Sequence, residues 1–70
     1  MNTEKIGVWA GEVWKALNEA DVLDIKQIKK ITKLKEKEVI AALGWLARED
    51  KVAFEESDDE KKETLVRLLS

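Results

Sequence analysis

Between residues 4 and 20 apolar side chains return at three- and four-residue steps: Ile6, Trp9, Ala10, Val13, Ala16, Leu17 and Ala20. That period marks one face of a helix, with Thr3 or Asn2 placed to cap its start. Trp14 falls at the edge of this face, beside Gly7 and Gly11. Val22 and Leu23 read as extended, a short strand. Asp24 can then accept from the free N–H groups of a new helix, and Gln27, three residues on, can reach back, a variant of the capping box. Leu23 before the cap and Ile28 inside the helix form a hydrophobic staple. A short second helix therefore spans about residues 25 to 31.

The stretch "TKLK" turns the chain, and Leu34 is expected to plug the space between the second and third helices. The third helix covers about residues 36 to 49. Its inward set is Val39, Leu43 and Leu46, with Ala42 and Ala47 beside them. Asp50 stands where glycine often ends such a helix, and aspartate tolerates the left-handed conformation better than most residues. "KVAFEE" alternates, with Val52 and Phe54 on one face, as a half-buried strand does. "SDDEKK" reads as a polar loop, and Thr64 to Leu69 as the returning strand of a hairpin. The expected class is mainly α with a small β-hairpin.

This order and spacing resemble the winged helix-turn-helix superfamily. The pattern runs from Leu23 to Leu68, with Val39, Leu43, Leu46, Asp50 and Val52 at the characteristic steps. More narrowly, "AGEVW" at 10–14 with "ALGWLARED" at 42–50 is similar to a family of small stand-alone winged-helix proteins from bacteria and archaea, of unknown function. The resemblance implies three helices plus a two- or three-stranded wing sheet. It implies little about function, because winged helices serve both as DNA readers and as protein docks.

Composition sharpens the picture in three places. Seventy residues make one domain, 1–70, which buries only about 60% of its unfolded surface and has a thin stability margin. The chain has no Cys, His or Tyr, which removes the thiolate nucleophile, the commonest general base and the Cys/His zinc sites. Ser57 and Ser70 have no base to activate them, and no glycine-rich phosphate loop is present. The acidic run "EESDDE" lacks the Gly and Glu positions of a calcium loop and reads as a solvated hairpin tip. The expectation is a binding protein and not an enzyme, with no cofactor, metal or small-molecule ligand. No signal peptide and no apolar run near the roughly 18 residues of a membrane span occur, so a cytoplasmic location is expected.

Charge is the third place. The net charge of −2 is unevenly spread. Residues 25–37, "IKQIKKITKLKEK", hold 6 of the 13 basic residues and 1 of the 15 acidic ones, so this window is +5 and the remainder −7. Lys26, Lys29, Lys30, Lys33, Lys35 and Lys37 would flank a phosphate backbone in a helix-turn-helix, Lys35 and Lys37 near the positive start of the third helix. The same lysines also suit a solvated face.

Against DNA, the outward stripe of the third helix reads Lys37, Ala41, Gly44, Trp45 and Arg48, with no hydrogen-bond donors at its middle toward base edges. The wing tip "EESDDEKKE" has six acids and two lysines and would repel phosphate. Gly44 costs its helix about 1 kcal/mol relative to Ala. Ala41, Gly44 and Trp45, rimmed by Arg48, form a flat apolar face of the kind a protein partner covers. Gly7, Gly11 and Trp14 offer a similar set on the first helix. The favoured expectation is a homodimer or other protein dock through these residues. The alternative is a DNA-binding transcriptional regulator using the Lys26–Lys37 stretch. A plainer possibility also stands: Trp45 folds beneath the hairpin near Phe54, and Trp14 extends the core.

Overall fold

The computed structural model describes residues 1–60 and 62–70; Lys61, counted above in the wing loop, lies outside them. The chain runs α1 (Thr3–Ala20), β1 (Val22–Asp24), α2 (Ile25–Thr32), α3 (Glu36–Arg48), β2 (Val52–Glu56) and β3 (Thr64–Leu68). Each helix lies within two residues of the span expected from its apolar period.

The starts of the helices follow from their sequences. Asn2 caps α1, its side chain accepting from the Lys5 N–H at 2.8 Å. At α2 the full capping box forms: Asp24 Oδ1 accepts from the Gln27 N–H at 2.8 Å, and Gln27 Oε1 accepts from the Asp24 N–H at 2.9 Å. Leu23 and Ile28, the staple pair, are both buried. Lys35 precedes α3 without an acceptor of its own, so only the reciprocal half of a box is made: Glu38 Oε1 accepts from the Lys35 N–H at 2.8 Å.

The ends are less conventional. Asp21, Lys33 and Asp50 follow the three helices with φ of 70°, 62° and 58°. Positive φ favours glycine; aspartate tolerates it better than lysine does. Asp50 takes the role its place in the sequence predicts, and around it the Lys51 N–H closes back on the Leu46 carbonyl at 2.9 Å. The Lys33 N–H likewise reaches the Lys29 carbonyl at 2.8 Å. Thr32 Oγ1 donates to the Ile28 carbonyl and accepts from the Leu34 N–H, which shapes the turn into α3. Leu34 is half-buried against the core, as its plug role requires.

The three strands form one antiparallel sheet in the order β1-β3-β2. Leu23 pairs with Val66, and Val66 with Phe54, so these three share the inner face. The core is Ala10, Val13, Ala16 and Leu17 of α1, Leu23 of β1, Ile28 of α2, Val39, Ala42, Leu43 and Leu46 of α3, Val52 of β2 and Val66 of β3. The inward stripe expected for α3 is thus met, with Ala47 half-buried.

Two expectations need correction. Ala20 continues the apolar period of α1, yet it is exposed because the helix ends there and the chain turns at Asp21. Alternation makes Phe54 an inward partner of Val52. It points to the inner face yet stays 49% exposed, because burial falls off along β2 from Val52 beside α3 toward the hairpin tip.

Candidate functional site

All three glycines of the chain, Gly7, Gly11 and Gly44, lie inside helices, and none has positive φ. The chain therefore uses glycine where helices disfavour it and withholds it at three helix ends where the backbone would welcome it. Internal packing does not explain the choice. A Cβ on Gly11 or Gly44 would meet nothing within 4 Å, and one on Gly7 would sit in ordinary contact, 3.9 Å from Trp45 Cζ2. Alanine would fit all three places and would favour each helix by about 1 kcal/mol.

Gly7 and Gly11 are four residues apart, one above the other on α1. They line a groove of about 410 Å³ between α1 and the C-terminal half of α3. Trp14 and Trp45 form its walls, Ala10 and Leu46 its floor, and Glu49 and Lys51 its polar rim. Trp14 is half-buried, and its indole N–H donates to the Ser70 main-chain carbonyl at 2.9 Å. That bond holds the ring in place and satisfies its one polar atom. Trp45 is 38% exposed.

The structure thus brings together Gly7, Gly11, Trp14 and Trp45, which the sequence places on two separate helices. Trp45 turns toward α1, and not beneath the hairpin, so the plainer possibility fails for this residue. For Trp14 it holds in part, since that ring packs on the core while lining the groove. Ala41, Gly44 and Arg48 lie outside the groove, on the outer ridge of α3; Ala41 is half-buried, and Gly44 and Arg48 are exposed. Sequence reasoning missed Ile40, 50% exposed on that helix, and the floor and rim residues Ala10, Leu46, Glu49 and Lys51. The rim had a signal: Glu49 and Lys51 flank the end of α3, one turn beyond Trp45.

The basic stretch looks different in three dimensions. Lys26, Lys30, Lys33, Lys35 and Lys37 are exposed. Lys29 is half-buried and pairs with Glu36 at 3.6 Å. The first turn of α3 carries Glu36 and Glu38, and the Glu38 carboxylate already accepts from the Lys35 N–H there. A phosphate approaching the start of α3 would meet these two carboxylates beside Lys35 and Lys37.

Among the described residues of the wing, several polar groups pair with one another. Ser57 Oγ donates to Asp59 at 2.8 Å and accepts from the Glu63 N–H at 2.9 Å. Across the hairpin Arg67 pairs with Glu55. The hydrogen bond from Arg67, reinforced by its charge, holds the Glu55 carboxyl below its usual range, and the same pair raises Arg67.

Three helices, a helix-turn-helix at α2–α3 and a three-stranded wing sheet define a winged helix-turn-helix domain. The chain belongs to the family described as "Winged helix-turn-helix domain (DUF2582)", whose model matches residues 1–67. It is similar to a solved structure, the solution NMR structure of protein BT2368 from Bacteroides thetaiotaomicron, at 35% identity and a TM-score of 0.84, covering 97% of this chain and 79% of that one. Among curated proteins no significant relative is found. Among the described residues no helix is long and apolar enough to cross a membrane.

Proposed function

We propose that this winged helix is a non-enzymatic protein-docking domain that uses the α1–α3 groove, and that its simplest partner is a second copy of itself. The observation that carries the reading is the glycine placement. Gly7 and Gly11 weaken α1, the chain alone gains nothing from them, and they sit between two tryptophans at a groove open to solvent. Small residues let a partner approach closely, and tryptophan anchors supply large contact area at interface centres. A domain with a thin stability margin also gains from burying that surface.

A dilution series followed by NMR tests this. The Gly7, Gly11 and Trp45 indole resonances are expected to move with concentration while those of the wing, Glu56 to Glu60, stay fixed. Groove resonances that do not change up to millimolar concentration would contradict self-docking.

A second reading is supported by the five exposed lysines around α2 and α3: weak, sequence-blind contact with nucleic acid backbone. Glu36, Glu38 and the acidic wing argue against tight, specific recognition. A dimer docked through α1 and α3 would leave α2 and its lysines open, so the two readings are compatible. Selection from random duplexes at physiological salt separates a specific regulator, which would return a motif, from this weaker contact, which would not.

A further inference from the structure

The outer face of α1 carries more than the groove. Glu4, Val8, Gly11 and Lys15 follow one another up the exposed side of the helix, and Val8 is 63% exposed there. Their spacing is self-complementary. Two copies of α1 running antiparallel, with the twofold axis level with the midpoint of residues 9 and 10, set Glu4 of each copy opposite Lys15 of the other. The same arrangement puts Val8 of each copy at the level of Gly11 of the other, where no side chain occupies the space. In a parallel pair, by contrast, Glu4 faces Glu4 and Lys15 faces Lys15. We infer that the second copy docks by antiparallel packing of α1 on α1, with Glu4–Lys15 pairs at both ends and Val8 over Gly11 between them.

This inference rests on the docking reading and adds its geometry. An isologous pairing of this kind uses one patch twice, and each favourable contact appears twice. On the flank of the same face, Trp14 and Trp45 of both copies lie on one side of the helix pair, so each groove is roofed in part by the other copy. An 18-residue helix is about 27 Å long and 10–12 Å wide, a footprint of roughly 300 Å². A standard interface takes about 800 Å² per partner. Even with Trp45 and Glu49 added the pairing is weak, and it is expected to form at roughly 0.1–1 mM.

Engineered cysteines read the geometry directly, since the chain has none of its own. In the antiparallel pair position 4 lies beside position 15 of the other copy, while the two positions 4 are about 16 Å apart along the axis. A disulfide spans at most about 7 Å between Cα atoms. Glu4→Cys and Lys15→Cys, both at exposed positions, are expected to cross-link when mixed under oxidising conditions at millimolar concentration, and neither is expected to do so alone. Charge reversal gives an independent readout. Glu4→Lys should weaken association about threefold to tenfold, and adding Lys15→Glu to the same chain should restore it.

Cross-linking of each variant with itself and no excess in the mixture would overturn the antiparallel arrangement. So would a concentration-dependent mass that neither charge variant alters; docking through the groove would then stand without this geometry. A wild-type chain that stays monomeric in the same series removes the second copy altogether, and the self-docking reading fails with it.

Discussion

The α1–α3 groove and the wing are both surface features, and they treat their own side chains in opposite ways. In the wing, Ser57 holds Asp59 and Glu63, and Arg67 holds Glu55. These polar groups find their partners within the hairpin itself. In the groove two indoles stay partly open above helical glycines that no internal contact requires. An exposed apolar surface that also weakens its own helix has a cost inside the monomer and no return there. The contrast is what supports the proposal of a partner at the groove.

The largest expected effect concerns what the two regions share, the core beneath them. Leu43 is 3% exposed between the helices, and Leu43→Ala should destabilise by about 2–5 kcal/mol in denaturant melts, as truncation of buried leucines does. A loss below about half a kcal/mol would mean that α3 is rotated from the phase described, and that the groove is rotated with it.

A sharper comparison uses the inverted placement of glycine. Gly11→Ala and Lys33→Gly should each stabilise the fold by up to about 1 kcal/mol, one by helix propensity and one by relieving positive φ. Only Gly11→Ala should also weaken self-association, because only that change touches the groove. Thermal melts at low concentration paired with sedimentation separate the two effects. If both variants associate like wild type, the groove glycines are not kept for a partner.

The wing makes smaller predictions. Replacing Asp58 and Glu60 with lysine should strengthen binding to a random DNA duplex severalfold and steepen its dependence on salt; fluorescence anisotropy at two ionic strengths measures both. An unchanged affinity would mean that the wing does not face the nucleic acid.

The smallest effect lies in the Glu55–Arg67 pair. With the folded Glu55 carboxyl held below its ordinary value of 4.5, first by the Arg67 hydrogen bond and then by its charge, the pair favours the folded state above that ordinary value. Its contribution is lost as pH falls through the lowered value. Carboxyl NMR titration should show the low midpoint, and Arg67→Ala should return it toward 4.5. The pair is open to solvent, so salt should shrink the effect.

Much of the fold was legible because local chemistry decides it. The Asp24–Gln27 box, the Leu23–Ile28 staple and the Val39–Leu43–Leu46 stripe each need only near neighbours in sequence. Phe54 shows the limit. Alternation gives its face correctly, but whether a face is covered depends on how far along the strand the core extends. Trp45 shows a second limit. It lies on the flank of α3, between the buried stripe and the outer ridge, and only the placement of α1 decides which way the ring turns. The convergence of Gly7, Gly11, Trp14 and Trp45 was therefore half legible: the right residues on each helix, without the packing that joins them. The helical period groups Ala41, Gly44 and Arg48 with Trp45 because it cannot separate a flank from a ridge.

Sedimentation equilibrium from micromolar to millimolar concentration, run on wild type and Gly11→Leu side by side, tests the central claim most directly. Wild type should rise from its monomer mass of 8.0 kDa toward twice that value. Gly11→Leu should stay at the monomer mass although its helix is intrinsically stronger, because the added side chain fills the space a partner needs. A wild-type chain that remains at 8.0 kDa throughout, or a Gly11→Leu chain that associates as well as wild type, would contradict the account.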